Sequence, residues 1–210
     1  IIGTIGTQTL LLGHDHRFGK NREGSFAYLK ENESKFGIEV FEISRLDIDA
    51  AAVSSTRIRE YIHAGNMPAA AALLGRYYSV YGTVISGKKL GRTIGYPTAN
   101  IRVSNAQKLL PKLGVYAVAV ELEQVYYGGM LSIGYNPTVS DSDTIHVEVH
   151  IFDFNSDIYD KELTIQFLKR LRDELKFGSL EELKTQLHQD ALDSKHIYTT
   201  YLQQTISTDQ

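Results

Sequence analysis

The sequence predicts an α/β segment followed by a mainly antiparallel closed β-barrel that ends in a helix. Three observations predict it. The apolar run Thr9-Leu10-Leu11-Leu12-Gly13, closed by glycine, is followed by a helical pattern and a second strand-like run. After Arg76 the texture changes to short runs rich in Tyr and Val, separated by turn residues. Several such strands in so short a stretch form a sandwich or a small barrel, and barrel closure removes exposed edges. Finally, Ser179 with Glu182 three residues on is a capping box that opens a last amphipathic pattern.

Taken in order, residues 9–13 read as a buried parallel strand. The polar loop Gly13 to Gly24 follows its carboxyl end, where open α/β sheets bind ligands. His14 and His16 straddle Asp15 there, a weak metal pattern without a third ligand. A helix is expected over 25–36, and the alternating run 38–43 reads as a strand. Residues 44–53 read as loop. Ser54-Ser55-Thr56 place hydroxyls at a helix start, where they can cap free N–H groups. Arg57 and Arg59 in that first turn oppose the helix dipole and so suit an anion. Gly65 ends this helix, and Pro68 and Gly75 bracket a short Ala-rich one. Strands are expected over 78–86, 115–123, 126–133, 145–154 and 162–171. In the last helix Leu180, Leu183, Leu187 and Ala191 form an apolar face suited to packing on the barrel. Residues 204–210 read as a disordered tail.

Composition narrows the function. The 210 residues are 42% apolar and 22% charged, as in an ordinary globular protein. No run approaches the roughly 18 apolar residues that span a bilayer, and no export signal is visible, so no membrane role and a cytoplasmic location are expected. The absence of cysteine excludes disulfides and thiolate metal sites. A net charge of −3 argues against nucleic acid as a partner. The charge is uneven, because residues 77–120 carry six Lys/Arg and no carboxylate, while residues 121–210 carry seven against sixteen. A local positive field of this kind suits a small anionic ligand. The chain opens at Ile1, within what reads as an αβ unit, and is expected to be a fragment of a longer polypeptide.

Within the basic block, Gly87-Lys88-Lys89-Leu90-Gly91-Arg92-Thr93-Ile94-Gly95-Tyr96-Pro97-Thr98-Ala99-Asn100 crowds three glycines, three cations and a Thr/Asn pair together. Its glycines let backbone N–H groups approach an anion, and Thr98 and Asn100 offer hard neutral oxygens two residues apart. It is either a polyphosphate cradle or a Gly-rich hairpin with a solvated basic tip. On the run 145–154, Glu148 alternates with Val147 and Val149 and shares its face with His146 and His150, which makes that face either a wet side or a catalytic wall.

Two sets of motifs resemble one family. Gly-His-Asp-His-Arg-Phe-Gly-Lys-Asn-Arg-Glu-Gly, Ser-Ser-Thr-Arg-Ile-Arg and Leu-Leu-Gly-Arg-Tyr-Tyr resemble the later part of the adenylyltransferase domain of the bacterial bifunctional riboflavin kinase/FAD synthetases. Gly-x-x-x-Gly-Arg-x-x-Gly-x-Pro-Thr-Ala-Asn, Ser132 to Thr138, Val147 to Phe154 and Phe167 to Phe177 resemble the kinase domain of the same family, over residues 77 to about 200. The resemblance implies a truncated Rossmann-like nucleotidyltransferase part over 1–76, a riboflavin kinase barrel with its helix over 77–203, and a tail over 204–210. The HxGH-type signature of the family is not in this sequence, so the adenylyltransferase half is expected to be inactive.

The implied reaction transfers the ATP γ-phosphate to the riboflavin 5′-hydroxyl, giving FMN and ADP. The resemblance makes Glu148 the base and puts Mg²⁺ and ATP on Thr98 and Asn100. Gly87 and Arg92 would line the phosphate loop, Ile151, Asp153 and Tyr159 would contact the nucleotide, and Arg172, Leu175 and Phe177 the flavin. Ser54, Ser55, Thr56 and Arg59 would belong to the adenylyltransferase remnant. Two positions depart from the family pattern: Asp160, where members often have glycine, and Asn136, where they often have arginine. The alternatives are the complete bifunctional enzyme, also making FAD from FMN, and a non-catalytic flavin or nucleotide-binding module. Protein partners are not specified by the sequence.

Overall fold

A computed structural model describes residues 2–13, 16–44, 47–48, 51–87, 90–135 and 145–208. The chain forms two compact units, Ile1–Val53 and Ser54–Gln210.

In the first unit, strand β1 (Thr9–Gly13) pairs in parallel with β2 (Glu39–Ile43), with Leu10 opposite Val40 and Leu12 opposite Glu42. Helix α1 (Phe26–Glu31) and the single turn α2 (Glu33–Phe36) connect them. The expected continuous helix is broken at Asn32, whose backbone leaves the helical region, and Gly37 ends the second piece in a left-handed conformation. Ser25 caps α1 by accepting the Tyr28 N–H at 3.3 Å. Leu12, Leu29, Ile38 and Val40 form a small core. The other face of the pair leaves Leu11, Phe41 and Ile43 exposed. Two-residue strands β3 (Asp47–Ile48) and β4 (Ala51–Ala52) pair where a plain loop was expected. His14 and Asp15 lie outside the described residues; His16 stacks on Phe18.

The second unit begins with α3 (Ser55–Ala64) and α4 (Met67–Leu74), bounded by the expected residues. Ser54 accepts the Arg57 N–H at 3.2 Å, Asn66 caps α4, and Gly65 and Gly75 close the two helices with positive φ. Gly65 also has a packing reason, since a Cβ there would overlap the Arg170 side chain. Ile62, Met67 and Ala70 are buried in the same core as the strands that follow. Packing therefore joins residues 54–76 to the barrel, whereas the sequence reading sets its boundary after Arg76. Apolar helix faces need a partner, and here the barrel provides it.

The barrel is built from β5 (Tyr78–Ile85), β6 (Ala99–Val103), β7 (Gly114–Leu122), β8 (Val125–Tyr135), β9 (Ile145–Ile151) and β10 (Glu162–Arg172). It closes in the order β10-β5-β6-β9-β8-β7, every neighbouring pair antiparallel. One strand more is present than the five expected, because β6 is short and follows Pro97 and Thr98 directly. Val80, Val84, Val118, Ile133, Val149, Ile165 and Phe167 fill the interior. Strand β7 is buried almost throughout rather than alternately, since its outer face, with Ala119, is covered by Tyr201 of the last helix.

That helix, α6, runs from Leu180 to Thr208, so the expected tail is helical well past Gln203. Its cap forms as expected at one end, with the Glu182 N–H donating to Ser179 Oγ at 3.2 Å, while the Glu182 carboxylate accepts the Gly178 N–H at 2.9 Å. The stripe on the barrel is Ile197, Tyr198 and Tyr201 rather than the expected Leu180, Leu183, Leu187 and Ala191. Leu180 is exposed, and Leu183 and Leu187 face a cavity. Asp160 adopts φ 61°, a left-handed conformation that glycine enters without steric cost. Asn136 and the rest of its turn lie outside the described residues.

Candidate active site

The seam between β6 and β9 organises the site. Only two residue pairs join these strands, Ala99 with Val149 and Asn100 with Glu148. Strand alternation then turns Thr98, Asn100 and Glu148 toward the same side. The Thr98 hydroxyl donates to the Glu148 carboxylate at 3.2 Å across fifty residues of sequence.

Two cavities meet at Thr98, and Glu148 lines the smaller of them. One, of about 470 Å³, is lined by Arg92, Thr98, Ile151, Ile158 and Tyr159 among others. The other, of about 270 Å³, has Thr98 and Glu148 on one side and Arg172, Leu175 and Phe177 on another, with Leu183 and Leu187 of α6 closing it. Thr98 lines both. The first offers a mixed polar and apolar wall; the second combines aliphatic side chains with the rings of Tyr96 and Phe177 and the carboxylates of Glu148, Glu174 and Asp190.

The loop before β6 is one helical turn, α5 (Leu90–Thr93), followed by Gly95 at φ 86° and the extended Tyr96-Pro97. The turn is held by the Tyr96 N–H donating to the Gly91 carbonyl at 2.9 Å. Lys88 and Lys89 lie outside the described residues. Gly87 is set by contact: a Cβ there would overlap the Asn100 amide. His150 Nδ1 donates to the Pro97 carbonyl at 2.7 Å, tying the loop to β9 two residues beyond Glu148. Burial pushes the His150 pKa down, against the raising effect of that hydrogen bond, and Lys195 adds to the lowering. The lowering favours the neutral imidazole, and the hydrogen bond to a carbonyl requires a proton on Nδ1.

Of the residues singled out in the sequence, Arg92, Thr98, Ile151 and Tyr159 come together in the first cavity, and Thr98, Glu148, Arg172, Leu175 and Phe177 in the second. Asn100 lies beside them, opposite Glu148, and borders a separate hollow with His146. Asp153 does not join either group; it is exposed, at φ 54°, and pairs with Lys195 of α6 at 3.3 Å. Ser54, Ser55, Thr56 and Arg59 start α3 and line neither cavity. Sequence reasoning passed over Asp157, whose carboxylate accepts the Tyr159 N–H at 3.0 Å, and also Tyr96, Glu174 and Asp190. Tyr96 was legible as part of the Gly-x-Pro-Thr motif. Glu174 lies so close to Gly134 that a Cβ at that glycine would overlap its carboxylate, a contact no spacing reveals.

Among the described residues there is no group of three His, Asp or Glu side chains arranged to hold a metal. The hydroxyl of Thr98, at the larger cavity, and the amide oxygen of Asn100, at the neighbouring hollow, are hard oxygen donors of the kind that Mg²⁺ accepts. Among the described residues, no helix is long and apolar enough to cross a membrane.

A family described as riboflavin kinase matches residues 74–198, and one described as FAD synthetase matches residues 1–57. A bifunctional riboflavin kinase/FMN adenylyltransferase from Listeria monocytogenes is 43% identical over 197 residues, covering 92% of this chain and 61% of the relative. The protein of the same description from Pseudomonas fluorescens is 37% identical over 190 residues, covering 90% and 60%. The chain thus spans about three fifths of the length of these relatives. A crystal structure described as a macrolide-efflux protein from Streptococcus pneumoniae superposes with a TM-score of 0.78 at 38% identity, covering 87% of this chain and 58% of that one.

Proposed function

Since the chain belongs to the riboflavin kinase family, we propose that its barrel unit transfers the γ-phosphate of ATP to the 5′-hydroxyl of riboflavin, giving FMN and ADP. The observation that carries this reading is the meeting of two cavities at Thr98, whose hydroxyl is hydrogen-bonded to Glu148 in the smaller one. A phosphoryl transfer needs a donor and an acceptor brought together in line, with a proton acceptor at the attacking oxygen. The larger cavity takes ATP, with Ile151 and Tyr159 beside the nucleotide and Arg92 toward its phosphates. The smaller takes riboflavin, its ring against Leu175 and Phe177, because a flat apolar ring gains most from aromatic and aliphatic walls.

Glu148 accepts the proton of the 5′-hydroxyl as the oxygen attacks the γ-phosphorus. The P–O bond to the β-phosphate breaks, and its electron pair leaves with ADP. Thr98 and Asn100 would hold Mg²⁺, which when bound would supply positive charge to the transferring phosphates. Thr98 can serve both neighbours, since its proton is committed to Glu148 while its lone pairs remain free toward the larger cavity. His150, through the Pro97 carbonyl, fixes the backbone from which Thr98 projects.

Gly87→Ala tests the placement of Asn100. The added methyl displaces the Asn100 amide, and kcat/KM for ATP is expected to fall about 10- to 100-fold, since a shift of an ångström in a positioning group has effects of that order. Thermal stability should change little, and unchanged ATP kinetics would count against Asn100 as a ligand.

The adenylyltransferase match over residues 1–57 favours a second activity in a longer polypeptide, FAD formation from FMN and ATP, to which Ser54, Ser55, Thr56 and Arg59 would contribute phosphate contacts. The substrates and products are small cytoplasmic metabolites, and we place the reaction in the cytoplasm. Incubating the chain with riboflavin and MgATP and separating the products distinguishes these readings. FMN without FAD is expected. FAD would show adenylyltransfer within this chain, and binding of both ligands without either product would favour a non-catalytic module.

A further inference from the structure

The loop from Asp173 to Gly178, between β10 and α6, has no regular structure, yet it supplies Glu174, Leu175 and Phe177 to the smaller cavity. Its shape must therefore be set by side chains. At its start, the Asp173 carboxylate is gripped by Arg170 at 2.6 Å and Lys112 at 3.3 Å. At its end, Glu182 holds the Gly178 N–H. Between these points the loop is spanned by Arg172. Its Nη1 donates to the Asp173 carbonyl at 3.0 Å, and its guanidinium lies 5.9 Å from the centre of the Phe177 ring.

Arg172 is itself fixed by Asp190 of α6, which is 2% exposed. Arg172 Nε donates to Asp190 Oδ1 at 3.0 Å, and Nη2 donates to Oδ2 at 2.7 Å. Gln186 Nε2, one helical turn away, donates to Oδ1 at 2.9 Å. A forked Arg–carboxylate pair has a fixed plane, so Asp190 determines the plane of the guanidinium and through it the place of Phe177. Buried ion pairs add little net stability, and their better-supported use is to select one arrangement among several. Three of the five N–H donors of Arg172 are engaged by protein oxygens, which suits it to shape the flavin wall.

We propose that Asp190 is a positioning residue for the flavin: acting through Arg172, it holds the Asp173–Gly178 loop and Phe177 in the conformation that receives the isoalloxazine ring. The inference rests on the assignment of the smaller cavity to riboflavin.

The test measures riboflavin binding by quenching of flavin fluorescence without ATP, together with the KM of each substrate, for Asp190→Ala, Asp190→Asn and Gln186→Met. For Asp190→Ala the dissociation constant and KM for riboflavin are expected to rise about tenfold, the size of effect that loss of one charge-assisted hydrogen bond produces. The KM for ATP should stay unchanged, which also certifies that the barrel is folded. Asp190→Asn keeps one acceptor for the guanidinium and should be affected less, with Gln186→Met weaker again. If Asp190→Ala does not fold, the two milder variants carry the test. Equal changes for ATP and riboflavin would reduce Asp190 to a stability role and overturn the proposal, as would unaltered riboflavin binding. A wild-type chain that binds no riboflavin would instead remove the cavity assignment on which the proposal stands.

Discussion

Replacing Glu148 with glutamine is expected to lower kcat for riboflavin phosphorylation by about 10²- to 10⁴-fold, the range associated with a positioned general base, while ATP binding stays near the wild-type level. The side chain keeps its size and can still accept the Thr98 hydroxyl hydrogen bond, so the 3.2 Å contact that joins the cavities survives. What is lost is the charge that accepts the 5′-hydroxyl proton. Steady-state kinetics with a parallel ATP titration checks both halves. A variant with unchanged turnover would transfer the role of base to another group, and one with lost ATP affinity would give Glu148 a part in holding the nucleotide.

The largest effect on stability is expected at Phe167→Ala. Phe167 is fully buried on β10, edge-on to Tyr116 at 5.3 Å between ring centres and tilted against Tyr78 at 6.5 Å. Both neighbours are themselves tied to backbone carbonyls, Tyr78 to Leu109 and Tyr116 to Lys112, so they cannot swing in to fill the space. The cost is expected to be about 3–5 kcal/mol, the usual range for removing a buried aromatic side chain whose surroundings do not collapse. Urea denaturation followed by tyrosine fluorescence measures it. A cost below about 1 kcal/mol would mean that the interior repacks around the void.

Much of this fold was legible because its strands alternate and its helices carry recognisable ends. The capping box at Ser179, the glycines at 65 and 75, and the alternating run around Glu148 all correspond to local physical requirements that the structure meets. The failures have physical causes too. Strand β6 has only five residues and follows a proline, so it lacks the length that makes periodicity readable. In α6, the leucines of the first turns looked like a packing stripe because apolar spacing cannot distinguish a barrel surface from the wall of a cavity. The division drawn after Arg76 rests on a change of texture, and the packing of Ile62, Met67 and Ala70 from α3 and α4 into the barrel core is a separate matter of contact.

The site was legible to a different degree. Alternation put Glu148 on a polar face, but it left open whether that face was wet or catalytic, and the pairing with Thr98 depends on a seam of two residue pairs that no local pattern announces. Asp153 was assigned to the nucleotide by its place in a motif, and its exposed ion pair with Lys195, forty-two residues away, is a contact that no local spacing announces. Asp190 is the opposite case. As one of sixteen carboxylates in the last ninety residues it reads as a solvated helix charge, and only the end of β10 bringing Arg172 alongside makes it a buried anchor.

The central claim is that the two cavities present a phosphate donor and a flavin alcohol to one another across Thr98 and Glu148. A single-turnover reaction of the chain with riboflavin and ATP labelled in the γ-phosphate, in the presence of Mg²⁺, tests it most directly. The label is expected in FMN, in an amount equal to the ADP formed. Label released as inorganic phosphate with riboflavin unchanged would show that the donor site works without an aligned acceptor, and would contradict the account.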